Sequence, residues 1–250
     1  MRIPVTTLND GYDLPLLGLG TYKLQGEDVE RTVRTAIELG YRHIDTASFY
    51  DNEVQVGKAI NDAIKAGDVT REELFITTKL WNDDQERALQ AYNESLERLD
   101  LEFLDLYLVH WPWPQNGTYV KAFEQLAELQ GMGRLQSVGV ANFYPEVLDD
   151  IINATGITPV LNQVELHAGF TQPELRAYHE EHNILTEAWA PIARGSNFND
   201  PAIQAVAQAH EATPAQVCLA YLMKLGCSVV PKTKNPQRLV ENLGAVNVKL

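Results

Sequence analysis

The run Leu74-Phe75-Ile76-Thr77-Thr78-Lys79 is followed by an amphipathic segment over 84–99. Then comes Leu104-Asp105-Leu106-Tyr107-Leu108-Val109-His110, followed by a second amphipathic segment over 119–131. Each short apolar run ends on a basic side chain and hands over to a stretch of helical periodicity, which is the pattern of strand, helix, strand, helix. The alternation extends in both directions. Toward the amino terminus it gives 17–20 with 28–39 and 43–46 with 53–66. Toward the carboxyl terminus it gives 137–141 with 145–153 and 160–164 with 173–182. After these come 184–188, a polar loop, 201–210 and 214–225, and finally 228–231 with 236–243. Eight strands separated by helices predict a parallel sheet with crossover connections, and at this count a closed (β/α)₈ barrel is the leading α/β architecture. An open doubly wound sheet is the second choice. Residues 3–17 read as two short strands turned at Asn9-Asp10-Gly11, a β-hairpin that precedes the barrel and is expected to close its bottom.

Local chemistry supports several boundaries. Asp83 or Asp84 before 85–99, Asn142 before 145–153, Thr171 before 173–182 and Thr213-Pro214 before 215–225 all read as helix-start residues. No Pro/Gly/Ser-rich linker or low-complexity tract interrupts the chain. A barrel of 250 residues folds as one domain, so residues 1–250 are expected to form a single unit.

Charge and composition remove whole classes of function. With 34 acidic against 20 basic residues the net charge is −14, a field that repels a phosphate backbone, so nucleic acid is not an expected partner. Two cysteines, Cys218 and Cys227, lie in apolar company and suit a reducing compartment better than a disulfide framework. The start Met1-Arg2-Ile3-Pro4-Val5-Thr6-Thr7 lacks a signal-peptide pattern, and no apolar run reaches the ~18 residues of a membrane span. A cytoplasmic monomer without a membrane partner and without a metal site is expected.

The carboxyl ends of the expected strands collect polar side chains: Asp45, Lys79, His110, Asn142, Gln163, Trp189 and Lys232. In a barrel these ends form one rim, where active sites are built. Asp45, Tyr50, Lys79 and His110 suit carbonyl reduction. Hydride adds to carbon while charge grows on oxygen, so a donor and proton source must stand there. Tyr50 fits that role; a free phenol titrates near ~10, and a neighbouring ammonium, Lys79, favours its ionised form. Asp45 would hold Lys79 charged and oriented, and His110 would be a second donor to the carbonyl oxygen. Lys79 also admits a Schiff-base lyase reading, against which the Asp45 partner argues.

These residues resemble the aldo-keto reductases, over nearly the whole chain from Thr7 to Leu250. Gly40-Tyr41-Arg42-His43-Ile44-Asp45-Thr46-Ala47 with Tyr50 and Asn52-Glu53 is similar to the first signature of that family. Thr77-Thr78-Lys79-Leu80 and Val109-His110-Trp111-Pro112 are similar to the next two. The resemblance implies an NADPH-dependent reductase of small carbonyl compounds, with Asp45, Tyr50, Lys79 and His110 as the tetrad and Tyr50 as the acid. It also implies that Gly20-Thr21-Tyr22 approaches the nicotinamide, that Asn142 and Gln163 hydrogen-bond its carboxamide, and that Trp189 stacks on it. A tryptophan at 189 is closer to the bacterial diketogluconate-reductase branch, which makes a keto-sugar acid such as 2,5-diketo-D-gluconate the branch-level substrate.

Val230-Pro231-Lys232-Thr233-Lys234-Asn235 with Arg238, Glu241 and Asn242 resembles the adenosine-phosphate site. There Lys232, Lys234, Arg238 and the helix amides would neutralise a 2′-phosphate, favouring NADPH over NADH. Phe49, Trp81, Trp111 and Trp113, with Tyr22, would line an apolar substrate mouth. Ala141 stands where a serine usually precedes the asparagine, which implies one carboxamide hydrogen bond fewer. Ala168 stands in place of a common proline, Thr233 in place of serine, and the chain ends at Leu250 where relatives add a further helix and tail. Two other nucleotide-enzyme patterns are absent: Gly18-Leu19-Gly20 lacks the third glycine of a Rossmann fingerprint, and no tyrosine has a lysine four residues on. A non-catalytic NADPH-binding regulatory subunit on the same fold is the other reading, and the intact tetrad weighs against it.

Overall fold

The computed structural model describes residues 2–250; Met1, which begins the stretch that lacks a signal-peptide pattern, lies outside the described residues. A hairpin comes first, β1 (Val5–Thr7) antiparallel to β2 (Asp13–Pro15) with Val5 opposite Pro15. The barrel strands follow as β3 (Gly18–Gly20), β4 (His43–Asp45), β5 (Phe75–Leu80), β6 (Leu106–Val109), β7 (Ser137–Ala141), β8 (Leu161–Glu165), β9 (Leu185–Trp189) and β10 (Ser228–Val229). Between and after them lie α1 (Gly26–Leu39), α2 (Glu53–Ala66), α3 (Ala88–Leu99), α4 (Tyr119–Gly131), α5 (Pro145–Thr155), α6 (Pro173–Glu181), α7 (Pro201–Ala209), α8 (Pro214–Lys224) and α9 (Pro236–Gly244). The strands pair in parallel and in sequence from β3 to β10. The ring closes where Leu17 bridges Val229 and Gly20 N–H donates to Pro231 O at 3.0 Å. This is the (β/α)₈ barrel that the alternation predicts.

Helices on the outside and side chains on the inside bury both faces of every strand, which is why the strands read as continuous apolar runs rather than alternating ones. Alternation reappears once direction is considered, because successive side chains of a strand point to opposite faces. Ile76 and Leu80 of β5, Tyr107 and Val109 of β6 and Val138 and Val140 of β7 pack outward with the helices in the main core. Phe75, Leu106, Leu108 and Leu161 point inward, where Leu8 and Leu14 of the hairpin join them. Phe75, Leu106 and Leu161 each begin a strand, so the hairpin plugs the amino-terminal mouth.

The interior is filled rather than hollow. A Cβ on Gly139 would come within 2.8 Å of Leu108 Cδ2 and 2.9 Å of Leu161 O, so the inward position of β7 at that level admits no side chain. Above the apolar floor the same inward positions turn polar: His43 and Asp45 on β4, Thr77 and Lys79 on β5, Gln163 on β8, Glu187 on β9 and Ser228 on β10.

Helix starts differ in part from expectation. Thr213 caps α8 in a reciprocal box with Gln216, as its Thr-Pro signal implies. Asn142, however, does not cap α5, whose N-cap is Tyr144; and Gln172, not Thr171, precedes α6. Residues 82–87 form a 3₁₀ segment, and the α-helix begins only at Ala88. That tighter turn carries Gln85 inward, where its amide donates to Trp111 O at 2.8 Å and accepts from Thr118 Oγ1 at 2.7 Å. The 3₁₀ segment thus anchors the loop after β6.

Candidate active site

The carboxyl ends of the strands surround a cavity of about 450 Å³. Its wall includes Gly20, Tyr22, Asp45, Phe49, Tyr50, Trp81, His110, Trp111, Asn142, Gln163, Trp189, Lys232 and Arg238. Eight strand ends bring together residues separated by nearly the whole chain, and they do so at the rim where the sequence places them.

Tyr50 ends a 3₁₀ turn, Ser48–Tyr50, after β4. Asn52 fixes that turn: its side chain accepts from Thr46 Oγ1 at 2.7 Å and donates to Thr21 O and Leu24 O, each at 3.0 Å. The phenol comes to lie against Lys79, which is fully buried. Lys79 Nζ donates to Asp45 Oδ1 at 2.7 Å, to Thr46 O at 2.8 Å and to Tyr50 Oη at 3.3 Å. An ammonium carries three protons and no lone pair. All three are therefore committed, and the Tyr50 oxygen is an acceptor in this pair. Its own proton is left free to be donated into the cavity.

Burial is the largest influence on Lys79 and acts against its charge, but Asp45 and Tyr50 together hold it above the usual lysine value. For Tyr50, burial outweighs the pull of Lys79, so the phenol sits above its ordinary value and stays protonated through neutral pH. The net direction is thus opposite to the one expected from the ammonium alone, because desolvation of the phenolate dominates. A committed, buried, charged amine is also a poor nucleophile, which removes the support for a Schiff-base role.

His110 stands edge-on to Tyr50 and Trp81, with ring centroids 5.8 Å and 5.2 Å away. Burial, and then the charge of Lys79, holds its imidazole well below the usual histidine range. A neutral ring is thus present at working pH. The expected outcome is a rate profile for reduction that is flat from about pH 6 to about pH 8, without the inflection an ordinary histidine near ~6.5 would give. An inflection in that window that disappears in His110→Gln would contradict this reading.

Two amides face the cavity with opposite polarity. Asn142, in left-handed backbone, donates to His110 O at 3.0 Å and accepts from Trp189 Nε1 at 2.8 Å, leaving one N–H uncommitted. Gln163 donates through Nε2 to Asp45 Oδ2 and to Glu187 Oε1, each at 2.8 Å, leaving its carbonyl oxygen uncommitted. An available donor beside an available acceptor is the complement of a primary carboxamide.

Phe49 stacks on Trp81 at 3.8 Å between centroids, and both line the mouth with Trp111. Trp113 lies two residues beyond Trp111, in left-handed backbone, and is not part of the cavity wall. Thr21 donates to Asp45 O at 2.9 Å behind the wall. Thr233, Glu241 and Asn242 do not line the cavity; Thr233 Oγ1 accepts from Asn235 N–H, and Glu241 O accepts from Gln216.

The basic cluster is smaller than expected. Lys234 is held away from the wall by an ion pair with Asp28 at 3.1 Å, leaving Lys232 and Arg238 to line the cavity. The helix amides are not available either, because Asn235 Oδ1 accepts from both Gln237 and Arg238 N–H. Cationic side chains must supply the attraction for a phosphate here. Arg194, from the polar loop after β9, adds a third cation to the wall, together with Ala190, Pro191 and Ile192. Sequence reasoning leaves these four out because the loop carries no periodic signal.

A model of the aldo/keto reductase family matches residues 16–250. The chain is 45% identical to the methylglyoxal reductase DkgA of Salmonella typhimurium, with 98% of this chain and 89% of that protein covered. An aldo/keto reductase crystal structure from Brucella melitensis superposes with a TM-score of 0.94 at 40% identity, covering 100% of this chain and 95% of that one. A mutant of Gox0644 solved in complex with NADPH gives a TM-score of 0.94 at 43% identity, covering 100% and 90%.

Proposed function

Because this chain belongs to the aldo/keto reductase family and is an NADP-dependent oxidoreductase, we propose that Tyr50 is the acid with which it reduces aldehydes and ketones to alcohols. When bound, NADPH supplies the hydride. The observation that carries the assignment is the saturation of Lys79. With its three protons committed, Lys79 accepts nothing from Tyr50 and leaves the phenolic proton directed to the substrate oxygen. Neutral His110 is the second donor to that oxygen, and Asp45 keeps Lys79 charged. Mixing the protein with NADPH and a panel of small aldehydes and ketones is expected to consume the nicotinamide absorbance; no loss with any of them would overturn the reading. The intact tetrad also supports catalysis over a regulatory, non-catalytic role.

The residues present fit the cofactor. Asn142 and Gln163 offer the paired donor and acceptor for its carboxamide, the Trp189 ring lines the wall beside them, and Lys232, Arg238 and Arg194 offer charge for its phosphates. With the helix amides occupied by Asn235, preference for NADPH over NADH rests on side chains. Lys232→Ala or Arg238→Ala is expected to weaken NADPH roughly tenfold or more while leaving NADH nearly unchanged, as read by fluorescence titration of each cofactor.

The substrates we assign are small carbonyl compounds: vicinal dicarbonyls in the manner of the methylglyoxal reductase relative, and keto-sugar acids such as 2,5-diketo-D-gluconate. The stacked Phe49 and Trp81 with Trp111 give the mouth an apolar wall, and the acidic net charge gives no long-range pull on anions, so of the two classes the site favours the neutral dicarbonyls. Among the described residues no helix is long and apolar enough to cross a membrane. We place the enzyme in the cytoplasm as a single-domain monomer. Two free buried cysteines suit that compartment.

A further inference from the structure

Glu187 is fully buried inside the barrel, on β9, and belongs to none of the motifs that carry the chemistry. A carboxylate in that position needs hydrogen bonds to be tolerated. Two come from its neighbours: Gln163 Nε2 donates to Oε1 at 2.8 Å, and Ser228 Oγ donates to Oε2 at 2.9 Å. His43 Nδ1 lies 3.8 Å from Oε2. Asp45 takes the other N–H of Gln163, so a single amide is suspended between two carboxylates.

That suspension decides which end of the amide faces the cavity. The two ends of a glutamine side chain are alike in shape and opposite in polarity. With the nitrogen inward, Gln163 makes two charge-assisted hydrogen bonds. With the oxygen inward, both bonds are lost and the carbonyl faces two carboxylates. Asp45 alone would not fix the choice as firmly, since it is already engaged by Lys79, and one N–H of the amide would be left buried without a partner.

We propose that Glu187 is a positioning residue for the cofactor: by holding Gln163 Nε2 from the barrel interior, it keeps the Gln163 carbonyl turned outward to accept from the NH₂ of the nicotinamide carboxamide. The proposal rests on the NADPH reading of the site. Its chain of contacts, Lys79, Asp45, Gln163, Glu187 and Ser228, links β5, β4, β8, β9 and β10, and so ties cofactor orientation to the lysine that supports the acid.

The test compares equilibrium binding of NADPH with that of its 3-acetylpyridine analogue, which keeps the carbonyl of the carboxamide but replaces its NH₂ by methyl. In Glu187→Gln, NADPH is expected to bind roughly tenfold more weakly, the scale of one hydrogen bond, while the analogue changes less than about twofold. Ser228→Ala, which removes only the outer support of Glu187, is expected to show the same split at smaller size. It serves as the test if Glu187→Gln fails to fold. Equal weakening of both cofactors would mean that Glu187 merely maintains structure, and no weakening of either would mean that Gln163 is fixed without it; each overturns the proposal. Failure of the unmodified protein to bind NADPH would instead remove the cofactor reading itself, and the proposal with it.

Discussion

Tyr50→Phe is expected to lower the rate of carbonyl reduction by roughly 10²–10⁴-fold, the contribution typical of a positioned general acid, while NADPH affinity stays within about twofold. The substitution removes one oxygen and little volume. Tyr50 is bounded by Tyr22, with ring centroids 5.1 Å apart, and its backbone carbonyl accepts from Gln25 at 2.7 Å; neither contact involves the phenolic oxygen. The turn carrying the ring therefore survives. What is lost is the only hydroxyl proton that Lys79 leaves free at the cavity, and one acceptor for Lys79 itself. Steady-state turnover with a small aldehyde, set beside a fluorescence titration of NADPH, separates the two effects. Retained turnover would refute the role of Tyr50, and a parallel collapse of NADPH binding would mean that the hydroxyl serves to hold the cofactor instead. Since burial raises the phenol, the unmodified enzyme is expected to keep its proton, and its reduction rate, until pH climbs above the ordinary phenol value.

Lys79→Met strikes stability as well as rate. In the native barrel, Asp45 is buried with one oxygen on Lys79 and the other on Gln163. Methionine fills the space of the lysine stem but leaves the carboxylate without a countercharge, a defect that typically costs about 3–5 kcal/mol. Denaturant unfolding should register that loss, and reduction should fall at least as far as in Tyr50→Phe. Adding Asp45→Asn to Lys79→Met removes the orphaned charge, so the double variant is expected to regain most of the stability and none of the activity. Equal stability of the single and double variants would mean that Asp45 is neutralised by another route.

The barrel and its rim are legible in the sequence for a specific reason. Runs such as 74–79 and 104–110 end on Lys79 and His110 at the point where the strand meets the rim, so a residue type at a run's end doubles as a position in space. Glu187 escapes that logic. It lies within the run 184–188, and its value depends on Gln163, which is 24 residues away and meets it only because β8 and β9 pair with Gln163 opposite Glu187. Strand register across the ring is a tertiary property, and a one-residue slip of either strand would aim its side chain at the helices and part the pair. The fate of Lys234 is hidden in the same way, since its partner Asp28 comes from the opposite end of the chain. The direction of the Tyr50 shift is also beyond the sequence, because it depends on how completely β4, β5 and their neighbours exclude water.

The ring closes at the junction of β3 and β10, strands of three and two residues, through the Leu17 bridge and the Gly20 hydrogen bond. Gly20 on one margin and Val230 and Lys232 on the other both line the cavity, and a Cβ on Gly20 would meet Val230 O at 2.8 Å. A ligand seated there touches both lips of the seam, so its binding free energy is linked to keeping the cylinder shut. Seated there as proposed, the cofactor would be a clasp as well as a reactant, and the resistance of the whole barrel to unzipping is expected to rise with the concentration of the molecule it consumes.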